Sequence, residues 1–445
     1  MSRTTSTRTL PGGSTPGGTR ARATTTALAV LIGTSLLLGA CGREAGTPGA
    51  AGPVEAAPVS EGAATGTIKV WAMGAEGEQL QALTDGFTAE NPDVTVEVTP
   101  VPWDSAHDKI ATAIAAGETP DITLVGTTWM GEFAATGAFD PTPTDLIGSD
   151  RFFEGPWSTT EVDGTSYGAP WYTETRLLYY RTDLAEQAGF SEPPTTWDEL
   201  TQMTKGMQTD AGAEYGISLP PGGTGSWQTF LPFAWQNGAE LETDGTLSLD
   251  GPAMVDAVDY YESFFADGIS PSAALDPGAL EQGFVDGSIG SFISGPWHMS
   301  LLDEQGGEDF RDSWAVAHMP TEKSGTSFVG GGNLAVFADS DNRDGAWKLV
   351  EWLTRPDVQQ EFYDMVSALP TNPDAWTSGE LAEDEDLTAF GDQLEDAKSP
   401  PAIATWEQVA DVIDGELEQV MVGGTDPATA VDQMQQQAES IGTGT

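Results

Sequence analysis

The chain is short of cysteine, of histidine, of basic side chains and of long apolar runs. Cys41 is the single cysteine among 445 residues, so the chain has no pair for an internal disulfide and no thiolate metal site. His107, His298 and His318 are its three histidines, and none stands at zinc-ligand spacing from another, so no metal is expected. Lys and Arg number 17 against 69 Asp and Glu, a formal net charge of −52. A surface of that sign repels phosphate backbones and disfavours nucleic acid as a partner. The acids are spread along the chain and read as a solvated, salt-adapted surface. The longest mostly apolar stretch, 27–40, would rise about 21 Å as a helix, short of the roughly 30 Å of a hydrocarbon core. No repeat of fixed period is visible.

That apolar stretch follows Arg3, Arg8, Arg20 and Arg22 and ends in Gly39 and Ala40 just before Cys41, the layout of a secretory signal over 1–40. The run Leu38, Gly39, Ala40, Cys41 resembles the bacterial lipobox, which implies lipid on the Cys41 sulfur and cleavage in front of it. The stretch 41–66 is rich in Gly, Ala and Pro and reads as a flexible, lipid-anchored linker. The remainder is long enough for two domains.

From Thr67 onward strands and helices alternate. "GTIKVWAMG" has strand period, "EGEQLQALTDGFTAENPD" sets Leu80, Leu83 and Phe87 at helical spacing, and "VTVEVTPVPW", "DSAHDKIATAIAAG" and "PDITLVG" continue the alternation. This pattern predicts an α/β fold with a largely parallel sheet. Thr196 with Glu199 forms a capping-box signature, and further helices are expected over 252–267, 344–354, 356–366 and 426–441.

Two motifs suggest chemistry and fail on inspection. "GTSYG", 164–168, matches the nucleophile elbow around Ser166, but Asp163 and Gly164 read as a hairpin turn and Pro170 follows where the elbow's helix should start. "DSDNRDG", 339–345, misses the calcium-loop register at its fifth, sixth and twelfth positions; Asp341 or Asn342 reads better as a helix cap. Among so many acids, sequence alone does not single out a glycosidase pair. No catalytic residue and no cofactor is called for.

Aromatic placement says more. The chain has 14 tryptophans. Trp71, Trp103, Trp129, Trp171, Trp227 and Trp297 stand beside glycine, proline or strand ends, whereas Trp347 and Trp352 read as helix core. Flat apolar faces next to carboxylates and hydroxyls suit a sugar ring, and strand ends are where α/β folds bind ligands.

"YGAPWYTETRLLYYRTDLAEQAGF", "GFVDGSIGSFISGPWHMSLL" and "FVGGGNLAVFADSDNRDGAWKLVEWL" resemble the extracellular solute-binding proteins of bacterial ABC importers, in particular the maltose and trehalose type. The resemblance implies a periplasmic-binding-protein-like fold of two α/β lobes with a hinge and a ligand cleft between them. The first lobe would take 67–171 plus 314–354, and the second 172–313 plus 355–445. It implies ligand contacts from Met73 and Glu76, from Trp103 and Asp104, from Gly126, Thr127, Thr128 and Trp129, from Tyr172 and Glu174, from Trp297, and from Gly331, Gly332 and Asn333. Gly126 and Gly332 stand where some relatives carry aspartate and tryptophan, which widens the pocket or shifts its hydrogen bonds. The implied function is capture of a di- or oligosaccharide, with α-glucosides among the candidates, and delivery to the permease. The protein would be a monomer on the outer face of the cytoplasmic membrane, touching that membrane only through its lipid. The alternatives are a lipid-anchored carbohydrate-active enzyme and a sugar sensor for a receptor.

Cys41→Ala is expected to release a folded body from membranes in a fractionation experiment, since acyl chains supply the attachment. Unchanged retention would refute the anchor.

Overall fold

The computed structural model describes residue 54 and residues 56–444, Asp244 excepted. The signal, Cys41 and the first part of the linker lie outside the described residues. The linker's far end is held down: Arg343 Nη2 donates to the Ala57 carbonyl (2.7 Å), the Ser60 N–H to Asp344 Oδ2 (3.0 Å) and the Ala64 N–H to Asn91 Oδ1 (2.9 Å). The flexible reading of 41–66 therefore fails at its end, where backbone hydrogen bonds do what side chains this small cannot.

The strand Gly66–Met73 buries Ile68, Val70 and Ala72, every second residue, as a pleated strand must. It pairs in parallel with Val94–Val101 on one side and Ile122–Gly126 on the other. The helix Gly74–Glu90 between the first two presses Leu80, Leu83 and Phe87 into the core. Beyond Ile122–Gly126 the sheet turns antiparallel, with Ser327–Val336, then Ala169–Thr175, then Leu369–Pro370. The seventh strand, Ala397–Lys398, lies beside the start of Ser327–Val336. The expectation of a largely parallel sheet holds for the first three strands and for the short Ala397–Lys398 beside Ser327–Val336; Ser327–Val336, Ala169–Thr175 and Leu369–Pro370 pair with reversed direction.

A second sheet sets Leu177–Arg181 between Ser291–Ser294 and Trp314–Ala317, antiparallel throughout. Its central sequence, "LLYYR", is apolar without alternation because both faces are covered. Leu178 and Tyr180 enter a large core with Trp197, Phe230, Phe264 and Trp406. Leu177 and Tyr179 enter a smaller one with Phe292, Trp314 and Phe390. The first sheet has a core of its own, including Phe133, Trp171, Trp347 and Phe362.

Among the described residues, three segments pass from the first sheet's core to the two cores of the second sheet. The strand Ala169–Thr175 contributes Trp171 to the first core and runs on to Leu177 and Leu178 in the others; Ser327–Val336 places Phe328 in the second core and Leu334 to Val336 in the first. The helix Pro356–Val366 packs Val358 and Phe362 into the first core before Leu369 joins the third. Two stretches thus lie opposite to expectation. Trp314 and Ala317 belong with the second sheet, drawn there by pairing with Leu177–Arg181, and 356–366 packs with the first core, where Phe362 stacks on Trp171 at 4.4 Å between ring centroids.

Local signals fared well where they rested on hydrogen bonds. Thr196 accepts from the Glu199 N–H (3.2 Å), although the Glu199 carboxylate reaches back to Thr195 instead. Asn342 sits at the start of helix Arg343–Leu353, yet its amide donates to the Thr65 and Thr67 carbonyls and so ties the helix to the first strand. Asp163 and Gly164 turn with φ of 51° and 74°, the paired positive values of a type I′ hairpin, joining Glu161–Val162 to Thr165–Ser166.

Ser166 on that hairpin is buried rather than at the surface, its hydroxyl between those of Thr142 (2.8 Å) and Thr160 (2.9 Å). Ser166→Ala is therefore expected to lower stability by about 1–3 kcal/mol through the hydroxyls left unpaired, read from the denaturant midpoint. An unchanged midpoint would contradict this network.

Candidate ligand cleft

Glu76 lies in the first turn of helix Gly74–Glu90, where the partial positive charge of a helix start favours a carboxylate. A Cβ placed at Gly74 would sit 2.8 Å from both Glu76 Oε2 and Trp103 Nε1, so the two side chains converge over a residue that must be small. Trp103 opens helix Trp103–Ala116 and is 36% exposed, with Asp104 exposed beside it. Its ring meets Trp129 edge to face at 5.5 Å. Trp129 closes the short turn Thr127–Trp129, which leaves the sheet after Gly126 and packs against helix Trp406–Met421. A side chain at Gly126 would press on the Trp129 ring.

Tyr172 and Glu174 point to one face of the crossing strand Ala169–Thr175, being two residues apart. They face Gly332 and Gly330 of the neighbouring strand. A Cβ at Gly332 would lie 2.9 Å from the Tyr172 ring, and one at Gly330 2.8 Å from Glu174 Oε1. Gly331 between them has φ of +122° and would meet the Tyr172 carbonyl at 2.3 Å, a position that only glycine fills without strain. Burial pushes the Glu76 carboxyl above its ordinary value, opposed by a hydrogen bond from its own backbone and reinforced by the Glu174 charge. Burial raises the Tyr172 phenol well above the usual range, and the Glu76 and Glu174 charges add to that. The three groups therefore sense one another across a half-buried space.

Trp297 approaches that space from helix Trp297–Gly306. Its indole folds back over Gly295, where a Cβ would come within 2.0 Å of the ring, and 40% of the residue stays exposed. Beneath it lies the Arg176 guanidinium, 4.8 Å from the ring centroid. A cavity of about 360 Å³ is bounded by Glu76, Tyr172, Glu174 and Trp297, by Ser300, Leu301 and Glu304 of the same helix as Trp297, and by Val366 to Leu369 of the third crossing.

Sequence reasoning thus brought together Glu76, Tyr172, Glu174 and Trp297 around one cavity, with Trp103 and Trp129 adjoining through Glu76. Two expected residues turn away. Asn333 is 1% exposed and hydrogen bonds Thr159 through both its amide atoms, because the strand shifts register between Gly332 and Asn333. Met73 is 1% exposed, its side chain in the first core. Among the strand-end tryptophans, Trp171 and Trp227 are core, and Trp71 carries the Lys109 ammonium 4.0 Å above its ring. Ser300, Leu301 and Glu304 were missed but had a signal: with Trp297 they follow i, i+3, i+4, i+7, one face of a helix. Ser367, left-handed at φ 56° after helix Pro356–Val366, had none.

Comparison with known proteins agrees with this geometry. The family described as bacterial extracellular solute-binding protein matches residues 82–389. A putative binding protein of Brucella abortus is 29% identical over 372 residues, 82% of this chain and 90% of its own. The structure of the sugar-binding protein MalE from Xanthomonas citri superposes with a TM-score of 0.81 at 32% identity, over 84% of this chain and 97% of that one. The GacH receptor of Streptomyces glaucescens, solved unliganded and with acarbose, gives 0.71 at 26% identity, over 85% of this chain and 98% of its own. With about two thirds of its length, residues 82–389, matched by the family, the chain belongs to the bacterial extracellular solute-binding proteins.

Proposed function

We propose that the protein captures a di- or oligosaccharide between two lobes and hands it to the membrane subunits of an ABC importer. The observation that carries this reading is the cavity at the crossings, where the exposed indole of Trp297 stands beside Glu76, Tyr172 and Glu174. An indole face covers the C–H side of a pyranose, and carboxylates and a phenol accept or exchange hydrogen bonds with its hydroxyls. The relatives from Xanthomonas citri and Streptomyces glaucescens, described as a sugar-binding protein and as an acarbose-binding receptor, support the same ligand class.

The first lobe comprises the core of Gly66–Met73 and its neighbours with helices Arg343–Leu353 and Pro356–Val366; the second comprises the sheet around Leu177–Arg181 with helices Trp406–Met421 and Pro427–Ile441. Glu76, Trp103, Asp104 and the turn Thr127–Trp129 offer the first lobe's contacts and Trp297 the second's, with Tyr172 and Glu174 between. Sugar held by one side recruits the other by hinge closure. The chain acts by binding, as a monomer held through lipid on Cys41 at the outer face of the cytoplasmic membrane, and returns its ligand unhydrolysed.

Titration calorimetry against a panel of maltooligosaccharides and other α-glucosides tests the site. Trp297→Ala removes a central aromatic face and is expected to cost about 2 kcal/mol or more, roughly 30-fold in Kd. Glu174→Gln keeps the shape but loses charge-assisted bonds, so a smaller measurable loss is expected. Wild-type affinity in both folded variants would place the sugar elsewhere.

A further inference from the structure

Arg176 is 5% exposed, yet it is one of only 17 basic residues in the chain. It follows directly on the crossing strand Ala169–Thr175. Its guanidinium carbon lies 4.8 Å from the Trp297 ring centroid and 5.0 Å from that of Phe328. Nη2 donates to Glu174 Oε1 (3.3 Å) and to Gln228 Oε1 (2.7 Å), while the buried Nη1 has no hydrogen-bond partner among the described residues. A charged group buried with one arm of its fork unpaired is a poor device for stability, since an apolar side chain of similar size would avoid the desolvation. Its benefit has to be sought in what it touches.

We propose that Arg176 is the positioning residue of the saccharide site. It sets the plane of Trp297 from behind by a cation–π contact and orients the Glu174 carboxylate from the side, so that stacking and hydrogen bonding are presented to one ligand in fixed relation. The inference rests on the reading of the cleft given above. Its physics is specific: guanidinium is planar, stacks on rings and bonds laterally through its fork at the same time, which an ammonium does not. One residue at the crossing thereby couples a side chain of the second lobe to a carboxylate of the crossing strand. Arg176 also supplies the positive charge beside a cavity bounded by Glu76, Glu174 and Glu304.

The experiment is a double-mutant cycle by calorimetry in the full-length protein, using whichever saccharide of the panel binds the wild type. Arg176→Gln is expected to weaken binding about tenfold. Combined with Trp297→Ala, it should lose at least about threefold less than the product of the two single losses, because the residues act through each other. Arg176→Lys keeps the charge over the ring without the fork and should restore part of the affinity. A purely structural role would lower the melting temperature while leaving the two losses multiplicative, and that result overturns the proposal. Wild-type affinity in Arg176→Gln overturns it as well. If Arg176→Gln fails to fold, Arg176→Lys enters the cycle in its place and is read in the same way. A wild type that binds no saccharide defeats the cleft reading instead, so the two failures are distinct.

Discussion

The antiparallel pairing of Ala169–Thr175 with Ser327–Val336 is the constraint on which the remainder depends. Both strands begin in one core and end in another, and a hydrogen-bonded ladder resists stretching and sliding far more than it resists twist. The pair therefore fixes the distance and register between two bodies while leaving their angle adjustable. Gly330, Gly331 and Gly332 fall in this stretch and clear room for Glu174, the strand backbone and the Tyr172 ring in turn. The same three positions thus make space for cavity-lining side chains and lack the side chains that would stiffen the crossing. A rotation about these strands moves Trp297 and Glu76 relative to each other, with Tyr172 and Glu174 at the axis.

Charge organises the site in a second way. A chain at −52 concentrates carboxylates at its cavity as well as its surface, and like charges brought together cost energy unless offset. Burial is the larger cause of the raised Glu76 carboxyl and the raised Tyr172 phenol, and the neighbouring carboxylate charges add to it. Arg176 donates a hydrogen bond to Glu174 (3.3 Å), and a ligand rich in hydroxyl groups would add further donors to the cavity's carboxylates without carrying charge of its own. An anionic ligand would face the opposite balance.

Much of this was legible in the residues, for physical reasons that differ by element. Period-2 patterns mark the first two strands and period-3.6 patterns the helices at 356–366 and 426–441, because each exposes one face, whereas the short apolar run Ile122–Gly126 is buried throughout. The core helix Trp227–Gln236, buried along nearly its whole length, carries no such contrast. Glu76, Tyr172, Glu174 and Trp297 were named through motif resemblance, and the four side chains line one cavity. Asn333 could not be excluded from sequence, because a one-residue register shift reverses the face a strand residue occupies. Trp171 and Trp227 show the limit of composition: an indole beside proline or glycine serves a core as readily as a cleft. The lobe boundaries implied by the resemblance misplaced Trp314–Ala317 and Pro356–Val366, which strand pairing with Leu177–Arg181 and stacking of Phe362 on Trp171 group otherwise.

The central claim is that the two lobes swing together on the crossing strands around a saccharide. Small-angle X-ray scattering of the full-length protein, with and without the tightest-binding sugar of the panel at saturation, reads this directly. The account predicts a smaller radius of gyration in the saturated sample, with no change in molecular mass. Identical scattering curves from free and saturated protein would contradict it.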